Sequence, residues 1–188
     1  IFHRGDPDDV IDRYLKIIRE KNIDVFVRVT GDNPFVDNEL LQVLLDSHFK
    51  TGADFTTGKE AAIGTNLEII NVAALEKVKK HFPNAEYSEY MSWYFVNNKE
   101  HFHINYVELP EGLVGSYRLT LDYQEDIKMF RLIDENLSPK KENYTLKDVL
   151  NFLDENKEIS DINAHIQAKY AVDKKLIDLL NEKTKINL

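Results

Sequence analysis

Val25-Phe26-Val27-Arg28-Val29-Thr30-Gly31-Asp32-Asn33-Pro34-Phe35-Val36-Asp37 decides how this chain is read. Its first half is a β-branched and aromatic run, bounded by Lys21-Asn22 before and Gly-Asp-Asn-Pro after, the pattern of a buried strand that ends in a turn. In an open α/β sheet ligands sit outside the carboxyl ends of strands, so an acid just past such an end faces a crevice and not a core. Asp32 holds that position. Gly31 lets the backbone come close to a ligand, and Pro34 pushes Asn33 towards extended conformations, so the strand cannot run on into a helix. An isolated Gly-Asp-Asn-Pro also serves as an Asx-type turn that uses the Asp for its own backbone, and only the surroundings separate the two readings.

The 188 residues are 43% hydrophobic and 11% aromatic, enough for one domain with its own core over residues 1–188. A formal net charge of −9 leaves no basic face to neutralise phosphates, which argues against nucleic acid as a partner. There is no cysteine, so a disulfide framework and Cys-based zinc or redox sites are excluded, and the cytoplasm is the expected location. No run reaches the length of a membrane-spanning helix and the N-terminus lacks a signal-peptide pattern, so no membrane insertion is expected. The opening Ile1-Phe2-His3-Arg4-Gly5 has no Met, which leads to the expectation that residues are missing upstream.

Working outward, residues 4–9 read as a turn into a helix that runs to about Lys21, with Asp6 as N-cap and Pro7 at the first helical position. Arg4 and Arg13 are either solvated surface charges or anion contacts near that helix start. Asp37 caps a second helix. Residues 53–57 and 67–70 read as strands, and the loop over 58–65 either shapes a small-molecule pocket or simply connects them. Residues 72–81 and 86–97 read as helices, the second rich in aromatics (Tyr87, Tyr90, Trp93, Tyr94, Phe95) that suit a core or subunit interface better than a sugar platform. Residues 101–109 alternate as a strand, and residues 117–121 form another that ends at Asp122 and is expected to lie beside 25–30. Helices follow from 123 to about 136, after a Thr145 cap, and over roughly 166–183. Strands alternating with helices imply α/β, a three-layer architecture with a mostly parallel sheet.

Two acids at the ends of neighbouring strands would face each other across a crevice. Hard cations are typically held by one or two carboxylates plus substrate phosphates, so Asp32 and Asp122, without His or Cys, favour Mg²⁺ or Mn²⁺ over zinc. No Gly-x-Ser-x-Gly, P-loop or Gly-x-Gly-x-x-Gly occurs, which removes serine hydrolase, P-loop NTPase and simple dinucleotide-binding readings.

Phe2-His3-Arg4-Gly5 with Asp9-Val10-Ile11-Asp12-Arg13-Tyr14, the stretch from Val27 to Asp37, Leu67-Glu68-Ile69, Arg118-Leu119-Thr120-Leu121-Asp122-Tyr123-Gln124-Glu125-Asp126-Ile127 and Ile162-Asn163-Ala164-His165-Ile166 together resemble the cytidylyltransferases related to the spore coat polysaccharide biosynthesis protein SpsF. These are similar in turn to the acylneuraminate and 3-deoxy-manno-octulosonate cytidylyltransferases. The resemblance implies a nucleotide-diphospho-sugar transferase-like fold and transfer of CMP from CTP to a sugar or sugar acid for cell-surface polysaccharide. It places Asp32 and Asp122 on the family's two metal-binding aspartates, and Gly5 and Arg13 near the nucleotide, where Arg4 and Gly31 are expected as further contacts. Gly64, Asn66 and Glu68 fall on the sugar-facing loop and strand. The family's first strand and its triphosphate-cradling loop have no counterpart in this sequence, so weak CTP binding is expected of these residues alone. Tyr123-Gln124 stand where relatives often have Thr-Pro, Tyr90 where they often have His, and Asn66 where many have Asp. A homodimer is one expected partner state, and in the non-catalytic reading the aromatic helix and the C-terminal helix would form its interface. The competing readings are a non-catalytic binding or assembly module derived from the family and a related glycosyltransferase.

Overall fold

The computed structural model describes residues 2–166 and 168–187. β1 (Val25–Arg28), β2 (Phe55–Gly58), β3 (Glu68–Asn71) and β4 (Ile104–Val107) form one sheet in the order β1-β3-β2-β4. β3 is antiparallel to both β1 and β2, whereas β4 is parallel to β2. The sheet is therefore mixed where a mostly parallel one was expected. The cause is the link between β2 and β3, which holds no helix, and a parallel return needs a crossover of a dozen residues or more.

Helices cover both faces, and β3 shows how the sequence arranges this. Ile70 and Phe26 pack with α1 (Val10–Lys21), α3 (Val72–His81) and α4 (Met91–Val96). Ile69 and Val27, pointing the other way, pack with α2 (Asn38–Thr51), α5 (Gln124–Leu137) and α6 (Leu146–Glu155). The period-two alternation of a strand thus feeds two separate apolar clusters. Asp37 ties the second together: its carboxylate accepts from Glu39 N and Leu40 N as the α2 N-cap and from Leu146 N at the start of α6.

Several expected elements differ. α1 is capped by Asp9, whose side chain accepts from Asp12 N at 2.8 Å, while Asp6 closes a turn by accepting from Asp8 N and Asp9 N. The aromatic helix is shorter than 86–97, because Tyr87 adopts a left-handed backbone (φ 58°) and a 3-10 turn, Ser88–Tyr90, precedes α4. The long C-terminal helix is divided into α8 (Lys169–Val172) and α9 (Lys174–Lys183), with Asp173 capping the latter by accepting from Leu176 N. Gln167, within the expected helix, and Ile1 lie outside the described residues. α7 (Lys157–Ser160) is a single turn after α6.

Residues 117–121 are not a strand beside β1, whose partner is β3. They make one parallel bridge, Ile63 to Arg118, and Leu121 N donates to the Asp32 carbonyl at 2.9 Å. Main-chain bonds to Ile63 and Asp32, together with side chains, hold this segment without a strand ladder. Among the described residues no helix is long and apolar enough to cross a membrane.

Candidate active site

A cleft of about 810 Å³ opens at the carboxyl end of β1. Its floor is the sheet face carrying Phe55, Thr57, Arg28 and Glu68; one wall is the Thr30 to Asn33 turn with the segment 118–123, and the other is Glu89 to Val96. The turn is closed by Asn33 N donating to the Thr30 carbonyl at 3.2 Å. Thr120 Oγ1 donates to Asp32 Oδ2 at 3.2 Å, so the two acid-bearing segments are joined both by backbone and by side chain. Burial opposes ionisation of Asp32, but hydrogen bonds from the Thr30 hydroxyl, its own backbone N–H and Thr120, with the attraction of Arg28, outweigh it and hold the carboxyl below its usual value. Asp32 is therefore a carboxylate at neutral pH.

Asp122 is anchored by charge. Arg118 Nη2 donates to Asp122 Oδ2 at 2.6 Å, while Arg118 Nε and Nη2 donate to Asp126 at 3.0 and 3.1 Å. Arg118 lies across the Tyr123 ring, its Cζ 5.3 Å from the centroid. Asp126, three residues into the capped start of α5, also accepts from Asp122 N and Tyr123 N at 2.9 Å and from Asn163 Nδ2 at 2.8 Å. Burial raises the Asp126 carboxyl, and these donors, Arg118 first, more than offset it, so the group stays ionised.

The three residues expected to face a sugar also line the cleft, and they differ in what they can offer. Asn66 is committed: its Oδ1 accepts from Gly58 N and Leu67 N at 3.0 Å and its Nδ2 donates to the Gly58 carbonyl at 2.9 Å. It shapes the wall by joining loop to β2. Gly64 is needed for backbone approach, with φ 88° and an added Cβ only 2.6 Å from the Leu119 and Thr120 backbone. Glu68 stands directly across from Arg28 in the β1 to β3 register and pairs with its Nη1 at 2.9 Å, while Arg28 Nη2 donates to the Glu89 carbonyl at 2.8 Å.

Asp32, Asp122, Gly64, Asn66 and Glu68 thus meet in one cleft. Arg4, Gly5, Arg13 and Gly31 do not line it. Arg4 is exposed against Phe2, and Gly5 packs on Arg13, whose Cγ an added Cβ would meet at 2.3 Å. That end of α1 is tied elsewhere, with Val10 N donating to Ser88 Oγ at 2.7 Å. Gly31 is exposed in its turn, with open space where a Cβ would lie. Sequence reasoning missed Arg28, Arg118, Thr120, Tyr90 and Trp93 as lining residues. The i, i+3 spacing of Tyr90 and Trp93 was the available signal: both face the cleft, whereas Tyr94 and Phe95 are buried in the core. Trp93 Nε1 donates to Asn181 Oδ1 of α9 at 3.0 Å, which fixes the indole at the wall.

A family model described as Cytidylyltransferase matches residues 1–159. The spore coat polysaccharide biosynthesis protein SpsF of Bacillus subtilis is 34% identical over 132 residues, which is 69% of this chain and 55% of that protein. An uncharacterized protein of Methanocaldococcus jannaschii is 30% identical over 167 residues, 88% of this chain and 68% of its own length. A solved cytidylyltransferase from Leptospira borgpetersenii serovar Hardjo-bovis superposes with a TM-score of 0.74 at 28% identity, over 88% of this chain and 69% of that one.

Proposed function

The chain belongs to the cytidylyltransferase family, and from that premise we propose that it takes part in transferring CMP from CTP to a hydroxyl of a sugar or sugar acid, for a cell-surface polysaccharide. In that reaction the acceptor oxygen bonds to the α-phosphorus, the bond from that phosphorus to the α,β-bridging oxygen breaks, pyrophosphate leaves and the acceptor's proton is lost to solvent. No protein nucleophile is required, since such chemistry rests on positioning and charge neutralisation.

The observation that carries the reading is the shared rim: Asp32 and Asp122 sit on two segments bonded to each other at the mouth of one cleft. Their donor set fits a hard divalent cation. Both offer carboxylate oxygens, and among the described residues no third acidic or histidine side chain joins them. Further ligands would then come from phosphate and water, as is usual for Mg²⁺. Asp32 and Asp122 would hold Mg²⁺ or Mn²⁺, which when bound supplies charge neutralisation on the phosphate oxygens. Glu68, with its Arg28 partner, offers hydrogen-bonding groups to the acceptor on the sheet floor, and Tyr90 and Trp93 restrict water at the opposite wall.

The test is pyrophosphate release by the full-length protein with CTP, Mg²⁺ and a panel of sugars and sugar acids. Asp32→Ala and Asp122→Ala are expected to lower turnover by orders of magnitude with the circular dichroism spectrum unchanged. Near-normal release from either variant would refute the assignment.

A further inference from the structure

Behind the cleft wall lies a buried polar network that helix capping alone does not account for. An acid at the third position of a helix normally reaches back to the N-cap N–H. Asp126 does so and, fully buried, also takes two N–H donors from Arg118 and one from the Asn163 amide. Asn163 makes a second contact, donating from the same amide nitrogen to the Arg118 carbonyl at 3.0 Å. Arg118 is thereby gripped at both its backbone and its guanidinium, and its side chain is only 4% exposed.

A buried ion pair is a weak source of stability, because apolar residues of the same volume often serve as well. What this one yields is orientation. Nε and Nη2 of Arg118 are spent on Asp126 and Asp122. Nη1 makes no hydrogen bond among the described residues, where no buried side-chain nitrogen or oxygen lacks a partner, so Nη1 keeps some accessible surface on a residue that lines the cleft. A guanidinium fixed in this way presents a donor to an anion without the entropy of ordering a long side chain on binding.

We propose that Asp126 and Asn163 are positioning residues that lock Arg118, so that Nη2 sets the Asp122 carboxylate and Nη1 donates to a phosphate oxygen of the substrate. The identity of the anion rests on the cytidylyl-transfer reading; the orientation of Arg118 does not. Calorimetry with inorganic pyrophosphate and, separately, Mn²⁺ on the full-length protein tests it with Arg118→Lys, Asn163→Ala and Asp126→Asn. In the folded fraction of each variant, pyrophosphate affinity is expected to fall by roughly tenfold or more, the yield of one charge-assisted hydrogen bond. KM for CTP should rise more than kcat falls. A merely structural network would lower the melting temperature and leave the pyrophosphate affinity of folded protein alone, and that result overturns the proposal. If Asp126→Asn does not fold, Arg118→Lys and Asn163→Ala, which keep the Asp126 charge, decide. A wild-type protein that binds CTP while the variants bind pyrophosphate as it does removes only the positioning role. A wild type that binds neither CTP nor pyrophosphate removes the transfer reading as well.

Discussion

Asp32 and Asp122 look alike in sequence, each an acid just past an extended run, yet the molecule holds them by different means. Asp32 keeps its charge mainly through neutral neighbours, the Thr30 and Thr120 hydroxyls and a backbone N–H, with a smaller attraction from Arg28. Asp122 is itself exposed, but its partner Arg118 is anchored to the fully buried Asp126. One corner is local and soft, the other tied to α5 and to the 163 loop. A local corner tolerates loss of a single donor, whereas a buried charged network fails as a unit.

The most damaging way to break that contrast is Asp126→Leu. It leaves the Arg118 guanidinium buried with only the exposed Asp122 as counter-ion, and removing one partner of a buried pair typically costs about 3–5 kcal/mol. Urea unfolding is expected to show a loss of that order. Asp122→Ala, at a position 46% exposed, should change stability by less than about 1 kcal/mol while abolishing turnover. Equal stability losses from the two variants would mean that the buried Asp126 is not what anchors the Asp122 corner.

Gly64→Ala probes the seam where the 58–65 loop meets the 118–123 segment. The new methyl would sit 2.6 Å from the Leu119 and Thr120 backbone at φ 88°, so loop and segment must part. Strain of this kind costs on the order of 1–3 kcal/mol, read as a lower urea midpoint. Because Thr120 moves with that backbone, the soft Asp32 corner should be disturbed before the Asp122 corner.

What could be read from the chain follows the same division. The β1 run, its turn, the Asp37 cap and the Thr145 cap depend on residues a few positions apart, and all are found in the structure. Asp126 was legible as an acid in a helix's first turn, but its work depends on Asn163, 37 residues away, and on Arg118. Residues 117–121 have the apolar alternation of a strand, and nothing local reveals that a few main-chain bonds to Ile63 and Asp32, with side chains, stand in place of a ladder. Asn66 was expected to face a sugar only through the family resemblance; the tertiary path of Gly58 shows that its amide is already spent. Sheet direction failed for a related reason, since the alternation of elements does not count the loop between β2 and β3.

The smallest expected effect sharpens the comparison most. Thr120→Val keeps the shape of a buried side chain and removes the hydroxyl that donates to Asp32. One hydrogen bond to a carboxylate is worth about 1–2 kcal/mol, less where solvent reaches the acceptor, so a loss of about 1 kcal/mol at neutral pH is expected. Its pH dependence identifies the cause. The folded Asp32 carboxyl lies below its ordinary 3.8, so its contribution to stability is fully present above 3.8 and is lost as pH falls through the folded value. Removing Thr120's donor raises that folded value towards 3.8, so the variant gains less from ionisation, and the gap between the two proteins should narrow as pH drops below 4. The Asp126 network is also lowered below 3.8 and titrates in the same acid range, but it is present in both proteins and cancels in the difference. Urea midpoints measured for both proteins from neutral pH down to about 3 would show it. A gap that stays constant with pH would mean that the hydroxyl matters to packing and not to the charge on Asp32.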